Sequence, residues 1–194
     1  MPDTQGRTEE ADGGRVLDTA VSLDGFVAGP NDELGGAPRL VFLAHRRRGH
    51  RRIGGGTGAI VIGRRTYGVG DRMDGFAHTP YPVDHLVLTH EVPEKTATGG
   101  MRFVFVADGV EGAVRQARDA AGDGNVAVGG ASVVRQCLAV GLVDEIQVHL
   151  VPVLLGGGVR LFADRGAGRV GLGKTRAVDA PGVMHVTYRV LEEG

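Results

Sequence analysis

The sequence predicts one α/β domain whose sheet is mainly parallel and ends in antiparallel strands. Short, continuous apolar runs at residues 59–63, 85–89 and 103–106 are typical of strands buried on both faces of a parallel sheet. Helical patterns lie between several of the strand patterns, whereas the C-terminal part holds strand patterns alone. Alternating strands and helices build parallel sheets, and consecutive strands pair in antiparallel fashion. The order of patterns therefore gives the fold class.

Composition narrows the classes of function. The 194 residues include 22 basic and 23 acidic side chains, so the net charge is −1, which argues against nucleic acid or an anionic membrane as the main partner. No apolar run approaches the ~20 residues that a spanning helix needs. The single cysteine, Cys137, excludes an internal disulfide framework and suits a reducing compartment, so we expect a cytoplasmic protein.

The first elements follow a polar N-terminus. Residues 1–14 show neither apolar periodicity nor a signal-peptide pattern, so we expect a disordered tail, with the folded domain at residues 15–194. A strand is predicted at 16–22, ended by the turn Leu23-Asp24-Gly25. A loop at 26–36 and a helix at 39–50 should come next.

The remaining elements follow from apolar periodicity and glycine placement. They are predicted, in order, as a strand at 59–63, a helix from Arg64, strands at 85–89 and 103–106, a helix at 109–121, a strand at 125–128, a helix at 131–140, and strands at 143–153, 169–178 and 183–191. Asp108 and Glu111 have the spacing of a capping box at the start of helix 109–121. Gly141 is expected to end helix 131–140.

One helix start has the composition of an anion site. Gly63-Arg64-Arg65-Thr66 follows a buried strand and opens a helix, and its first turn contains two arginines and no acid. A helix N-terminus carries partial positive charge, so two arginines there are unfavourable until an anion binds. Phosphate would be bound by free N–H groups and guanidinium groups together. The alternative is a pair of solvated arginines.

A second helix start repeats this arrangement. Gly129-Gly130-Ala131-Ser132 also follows a buried strand, and no carboxylate occurs between Asp123 and Asp144. The glycines would allow the backbone to approach a pyrophosphate, although a tight turn would also require small residues. Two acid-free helix starts after two buried strands predict a dinucleotide across one sheet edge.

Other polar groups give weaker signals. Thr89-His90 ends a third strand and could contact an adenosine phosphate, although a lone histidine is often an ordinary loop residue. The basic cluster between Arg46 and Arg52 is either a solvated helix face or a contact for a phosphate-bearing ligand or an acidic partner surface. No metal site is predicted, and we expect His149 and His185 to be packed or exposed side chains.

Four ordered motifs resemble a known family. They are residues 20–29 (AVSLDGFVAG), 61–67 (VIGRRTY), 128–132 (VGGAS), and 142–146 with 151–157 (LVDEI and VPVLLGG). Together they resemble the dihydrofolate reductase-like superfamily. Within it, the chain is most similar to stand-alone relatives of the reductase domain of the bacterial riboflavin-biosynthesis deaminase-reductase. The resemblance covers residues 15–191 and implies a three-layer fold with helices on both sides of the sheet.

The resemblance implies that NADPH binds across the strand ends. It places Gly63, Arg64, Arg65 and Thr66 at the phosphates, and Thr89 and His90 near the adenosine 2′-phosphate. It places Gly129, Gly130, Ala131, Ser132 and Val133 around the pyrophosphate. The segments that would border nicotinamide and substrate contain Ser22, Asp24, Leu154, Leu155 and Gly156.

Departures from the family leave the substrate open. Dihydrofolate reductases carry a carboxylate early in the first helix, but residues 38–50 contain neither Asp nor Glu. The Lys that riboflavin reductases carry in the first strand is replaced here, approximately, by Leu17 or Asp18, and Val128 replaces an acid. Asp24 is then the only acid in a site motif, so it is a candidate for substrate orientation or proton relay. The alternative is a turn aspartate that caps its own backbone.

These observations favour an NADPH-dependent reductase of a small, heterocyclic imine or carbonyl compound. The alternatives are a ribosylaminopyrimidine reductase of the riboflavin pathway, a dihydrofolate reductase, or a nucleotide-binding protein that has lost catalysis. We also expect a two-fold homodimer, because residues 143–153 form a long apolar strand near the C-terminal end of the sheet, and such an edge is usually paired.

Overall fold

A computed structural model describes residues 13–30, 56–74, 76–77, 79, 81–92, 100–163 and 168–191. The predicted helix at 39–50, the basic cluster between Arg46 and Arg52, and residues 1–12 of the predicted tail lie outside the described residues. Gly14, at the end of that predicted tail, donates its N–H to Asn125 Oδ1 at 2.7 Å and accepts the N–H of Val126. No helix within the described ranges has both the length and the apolar character needed to cross a membrane.

The described residues form three helices and ten strands. The helices are α1 (Arg64–Asp74), α2 (Gly109–Ala121) and α3 (Ala131–Ala139). The strands are β1 (Arg15–Ser22), β2 (Phe26–Ala28), β3 (Thr57–Gly63), β4 (Asp84–Leu88), β5 (Phe103–Val106), β6 (Asn125–Gly129), β7 (Glu145–Val151), β8 (Val159–Arg160), β9 (Gly171–Ala180) and β10 (Val183–Leu191). Each helix and long strand that the sequence predicts within these ranges is present; β5, α2 and β10 have the predicted ends, and the ends of the others are shifted.

The main sheet has eight strands in the order β5-β4-β3-β6-β1-β7-β10-β9. All pairs from β5 to β7 are parallel, whereas β10 pairs in antiparallel fashion with both β7 and β9. Strands β2 and β8 form a separate two-stranded sheet. The predicted fold class, a mainly parallel sheet with antiparallel C-terminal strands, is confirmed.

Both faces of the sheet are buried in its parallel half. On one face, Leu17, Val61 and Val128 pack with Ala113 of α2 and Val134 of α3, and all five are at most 1% exposed. On the other face, Tyr67 of α1 packs edge-on against Phe103 and Phe105. Burying a side chain of Val or Leu size contributes about 1.5–3 kcal/mol, so strands buried on both faces require continuous apolar runs.

Three local predictions were wrong. Residues 26–28 are not loop but strand β2, because Phe26 pairs with Arg160 of β8. Asp108 makes no capping hydrogen bond, since its φ and ψ of −81° and 17° lie outside the extended region that an N-cap adopts. The strand predicted at 143–153 is shorter and ends before Pro152, which has no N–H to donate.

The place of β7 in the sheet also differs from the expectation. It lies between β1 and β10 and is paired on both sides, so it is not an edge. The edge strands of the main sheet are β5 and β9. The expectation of a homodimer therefore loses the support that it took from residues 143–153 as an edge strand.

Candidate active site

The sheet brings all the predicted site segments to one edge. Thr89-His90 follows β4, Gly63 ends β3, Gly129 ends β6, Ser22 ends β1, and Leu154 to Gly156 follow β7. These five strands are consecutive in the sheet, in the order β4-β3-β6-β1-β7, and they are parallel. Because parallel strands end at the same edge, the segments form one continuous row there, which is where open α/β sheets bind ligands.

The two glycine turns pack directly against each other. Gly130 has a φ of +85°, and a Cβ at that position would collide with Thr66 Oγ1. A Cβ on Gly63 would lie 3.3 Å from Val133 Cγ2. The β3–α1 and β6–α3 turns therefore meet closely only because these two residues have no side chains.

The electrostatics of these two helix starts differ from those of the third. Neither α1 nor α3 has an acid in its first turn, and Gly130 provides no side-chain cap for α3. Helix α2, in contrast, carries Glu111 in its first turn. Arg64 and Arg65 are exposed, and the Arg64 guanidinium lies 5.4 Å from the centre of the Tyr67 ring. Two helix dipoles thus point at the same edge, and two exposed arginines lie in the first turn of α1.

Thr89 and His90 have different surroundings. Thr89 is 7% exposed; its hydroxyl donates to the carbonyl oxygen of Glu91 at 2.7 Å and lies 3.2 Å from the Glu91 amide nitrogen, which donates back to it. Its own N–H donates to the carbonyl of Val106, so Thr89 stabilises the turn after β4. His90 is exposed at that turn. The imidazole of His90, rather than the Thr89 hydroxyl, is therefore available to a ligand.

Asp24 joins two of the predicted substrate segments. Ser22 Oγ donates to Asp24 Oδ1 at 2.6 Å, and the N–H of Phe26 donates to the same hydroxyl at 2.9 Å. The N–H groups of Leu155 and Gly156 donate to Asp24 Oδ2 at 3.1 and 2.7 Å. One carboxylate thus fixes the loop after β7 against the turn after β1.

These hydrogen bonds set the charge of Asp24. The Ser22 hydroxyl makes the largest contribution, and the N–H groups of Gly156 and Leu155 add to it, so the pKa of Asp24 falls to about 2 from an ordinary 3.8. At neutral pH the side chain is a carboxylate with no proton to give. The geometry suits a residue that orients the site rather than one that supplies a proton.

Apolar and cationic side chains surround Asp24. Leu23 and Leu154 are 62% and 69% exposed, unusually high values for leucine, and both lie in the segments that Asp24 joins. The guanidinium of Arg160 stacks on the Phe26 ring at 4.5 Å and donates to the backbone carbonyl of Asp24 at 3.4 Å. Arg160 was not predicted as a site residue, because β8 is too short to show a periodic pattern in the sequence.

A buried polar array, also missed, crosses one face of the sheet. It consists of Asp18 on β1, Tyr81 before β4, His149 on β7 and His185 on β10. Tyr81 Oη donates to Asp18 Oδ2, His149 Nε2 lies 2.7 Å from Asp18 Oδ1, and the Nδ1 atoms of His149 and His185 are 2.7 Å apart. The side chains of His149 and Asp18 are only 1% and 4% exposed. His149 and His185 are packed, which is one of the two expected alternatives, but they pack against polar groups.

The array borders a groove of about 1290 Å³. The groove starts at the amino-terminal ends of the central strands, and Asp18, Tyr81, Gln147 and Thr187 are among its lining residues. The glycine turns at the carboxyl edge do not line it. Within the described parts of the chain, no three His, Cys, Asp or Glu side chains are grouped to hold a metal ion.

The sheet order, with two acid-free helix starts at its carboxyl edge, is that of a dihydrofolate reductase-like fold. The structure is similar to that of dihydrofolate reductase from Enterococcus faecalis, complexed with NADP(H), with a TM-score of 0.58 and 16% identity over 94% of this chain and 98% of that one. The model of the RibD C-terminal domain matches residues 16–181. The chain therefore belongs to the RibD C-terminal domain family, and the resemblance drawn from its motifs is confirmed.

Two other solved structures share the fold. The "Putative riboflavin biosynthesis protein" from Shewanella sp. PV-4 is 21% identical, with a TM-score of 0.68 over 92% of this chain and 99% of that one. The diaminohydroxyphosphoribosylaminopyrimidine deaminase/5-amino-6-(5-phosphoribosylamino)uracil reductase from Thermotoga maritima is 16% identical, with a TM-score of 0.63. The match covers 92% of this chain but only 57% of the Thermotoga protein. Sequence comparison with curated proteins gives no significant match.

Proposed function

We propose that this protein is an NADPH-dependent reductase that transfers a hydride to a small, heterocyclic imine or carbonyl compound. The observation that carries the proposal is the contact between the β3–α1 and β6–α3 turns, where two acid-free helix N-termini meet and neither Gly63 nor Gly130 has a side chain. Membership in the RibD C-terminal domain family, which makes the chain an oxidoreductase-type domain, supports it.

The residues at this edge fit a dinucleotide. The pyrophosphate would lie over Gly129 and Gly130, against the first N–H groups of α3, with the N–H groups of α1 on the other side. Gly130 has the positive φ and the close approach that such a cradle requires. Ala131, Ser132 and Val133 begin α3, and the exposed Ser132 hydroxyl is a further hydrogen-bonding group.

The charge at the edge favours NADPH over NADH. Arg64, Arg65 and His90 offer more positive character than one pyrophosphate needs, and they suit a third phosphate on the adenosine ribose. The two glycine turns contain no acid to accept a hydrogen bond from a ribose 2′-hydroxyl, the arrangement that selects NADH.

The substrate would bind beside Ser22 and Asp24, where Leu154, Leu155 and Gly156 form the other wall. Exposed leucines on both segments suit a planar ring, and the fixed carboxylate of Asp24 holds the two walls in register. When bound, the cofactor supplies the hydride, while the protein supplies orientation and electrostatics. Within this class, reduction of a ribosylaminopyrimidine is the second candidate, and the family match favours it.

Cofactor binding and turnover test the proposal separately. We expect fluorescence titration to give a lower Kd for NADPH than for NADH. We then expect NADPH oxidation with at least one compound from a panel of pterins, pyrimidines, cyclic imines and quinones. Equal affinities would contradict the choice of cofactor. Tight NADPH binding without turnover on any compound would favour the non-catalytic, nucleotide-binding alternative.

We further propose that the protein is a cytoplasmic homodimer. Edge strand β9 carries Leu172, which is 43% exposed, and the neighbouring β10 carries Met184 and Leu191 at 45% and 48%. An edge strand with apolar side chains is a natural surface for pairing. A reducing location agrees with Cys137, the single cysteine, which is fully buried.

A further inference from the structure

Two buried histidines face each other where the parallel and antiparallel parts of the sheet join. His149 on β7 and His185 on β10 are 1% and 5% exposed, and they are direct partners in the strand register. Their ring centres are 4.7 Å apart, and their Nδ1 atoms are 2.7 Å apart. At this distance the two nitrogens form a hydrogen bond, so one Nδ1 donates and the other accepts.

This hydrogen bond limits the charge that the two rings can hold together. The accepting Nδ1 must keep its lone pair, whereas the other ring nitrogens can all carry hydrogen, which gives the pair one positive charge. A second proton would have to bind to the accepting Nδ1. Two N–H groups would then point at each other across 2.7 Å. The folded pair therefore accepts one proton and excludes the second, and its titration belongs to the pair rather than to either ring.

Charged and titratable groups face the pair from its amino-terminal side. Within the described ranges they are Asp18, Tyr81, Glu145, Arg176 and Arg189. Asp18 Oδ1 lies 2.7 Å from His149 Nε2, so a first positive charge is favoured on His149. Arg176 pairs with Thr187, two residues after His185, and its charge disfavours a second proton there. Glu145 and Arg189 are further away and pair with each other.

Apolar side chains close the other side of the pair. Ala20 of β1 is the register partner of His149 and belongs to one apolar cluster with Val151 and Val183, which are 2% and 9% exposed. Both valines lie two residues from a histidine, toward the carboxyl edge of the sheet. An apolar environment raises the cost of every added charge, so it also opposes the second proton.

The position of the pair gives its protonation a structural consequence. Strand β10 pairs with β7 and β9, and β9 is an edge strand, so the hairpin β9–β10 is attached to the parallel strands through β7. Beyond its carboxyl end, β7 leads to Leu155 and Gly156, whose N–H groups donate to Asp24. Separation of the two rings would therefore loosen the hairpin beside the strand that carries the loop of the candidate active site.

We propose that His149 and His185 form a one-proton joint, which makes the attachment of the hairpin β9–β10 sensitive to pH. In the unfolded chain each histidine takes up its own proton near a pKa of about 6.5, whereas the folded pair takes up one in total. The unfolded or opened state thus binds more protons than the folded state. The joint therefore loses stability as the pH falls below about 6.5 and regains it as the pH rises.

The shared hydrogen can be tested on the parent protein without a ligand. Nuclear magnetic resonance of protein with ¹⁵N-labelled histidine at pH 7 distinguishes protonated from unprotonated ring nitrogens. We expect the two Nδ1 atoms of His149 and His185 to carry one hydrogen in total, and His149→Asn and His185→Asn assign the signals. If both Nδ1 atoms carry a hydrogen, or neither does, the rings share none and the inference is overturned.

The pH dependence of unfolding tests the exclusion of the second proton. The amide of His185→Asn can donate to His149 Nδ1 or accept from it, but it does not titrate. Between pH 7 and pH 5, the folding equilibrium constant of the parent should fall about 25-fold more than that of the variant, because one unfolded histidine takes up a proton. Urea unfolding gives both constants. Burial lowers the pKa of His85, and its contribution is common to both proteins and cancels.

Two further variants complete this comparison. His90→Asn removes an exposed histidine and should keep the pH dependence of the parent. His149→Asn removes the other member of the joint and should show the same reduced dependence as His185→Asn, which also serves if one of these two variants does not fold. If the variants of the joint keep the pH dependence of the parent, the folded pair accepts two protons and the inference is overturned.

Hydrogen exchange tests where the loosening occurs. From pH 7 to pH 5.5, after correction for the intrinsic exchange rate, the protection of amides in β9 and β10 should fall more than that of amides in β3 and β6. This difference should be smaller in His185→Asn. An equal loss of protection in all four strands of the parent would contradict an effect on the hairpin.

Discussion

Replacing Gly130 by alanine should destabilise the protein more than the same change at Gly122, another glycine with a positive φ. Gly130 and Gly122 have φ values of +85° and +57°, and any side chain is strained in this region. A Cβ on Gly122 meets nothing within 4 Å, whereas one on Gly130 collides with Thr66 Oγ1. Gly122→Ala is therefore a matched control that isolates the backbone cost.

The magnitudes follow from these two terms. With ψ values of −125° and 128°, Gly122 and Gly130 both lie in sparsely populated positive-φ backbone, which costs about 1–3 kcal/mol for alanine and is the whole effect at Gly122. Overpacking against Thr66 adds about 1–3 kcal/mol at Gly130. For a chain of this length, 1 kcal/mol corresponds to about 2–4 °C, so Gly130→Ala should melt some 2–12 °C below Gly122→Ala.

A double variant tests the contact itself. Thr66→Ala removes the colliding oxygen, so Gly130→Ala combined with Thr66→Ala should recover about 1–3 kcal/mol relative to the sum of the single variants. Thermal or urea unfolding without ligand gives all four stabilities. Equal melting temperatures for Gly130→Ala and Gly122→Ala, or strict additivity in the double variant, would refute the close packing of the two turns.

Three further expectations concern acid, thiol chemistry and assembly. Because the folded-state pKa of Asp24 is about 2 and that of Asp144 is also lowered, mainly by hydrogen bonds from Arg15 that outweigh burial, their stabilisation is complete above about pH 4 and is lost as the pH falls toward 2. The free energy of unfolding, measured from pH 5 to pH 2, should show this loss, and the loss should be smaller in Asp24→Asn. An unchanged pH dependence in this variant would contradict the contribution of Asp24. Burial raises the pKa of Cys137 to about 12, so an aromatic disulfide reagent at pH 8 should label it only at the rate of unfolding, and rapid labelling would contradict its burial. Light scattering at micromolar concentration should give about twice the 20.2 kDa of one chain, and the mass of a single chain would remove the homodimer.

The sequence was sufficient for the parallel half of the sheet. An apolar run such as 59–63 indicates a strand that is buried on both faces of the sheet. The glycine-rich turns after β3 and β6 indicate where two backbone segments come close to each other. These signals are local, so the position of each strand and helix could be predicted within a few residues. The acid-free starts of α1 and α3 were visible for the same reason, since the charge of a first turn depends on adjacent residues.

The polar array could not be predicted, because it depends on strand order and register. Asp18, His149 and His185 lie on three strands far apart in the chain, and each looks like an isolated polar residue in an apolar pattern. They meet because of the strand register. Asp18 pairs with Gln147, which lies two residues before His149 on β7, and His149 pairs with His185. The pairing of β2 with β8 was missed because such short strands show no periodicity.

NADPH titration of Arg64→Ala and Arg65→Ala is the most direct test of the cofactor-binding edge. Each charge-assisted contact to phosphate is worth about 1.5–3 kcal/mol, so each variant should bind NADPH about ten- to a hundredfold more weakly. Arg115→Ala, which removes an exposed arginine from α2, should bind as the parent does, and all three variants should melt within a few degrees of the parent. If the Arg64 and Arg65 variants bind NADPH with the affinity of the parent, the start of α1 is not a phosphate site and the account of this edge is wrong.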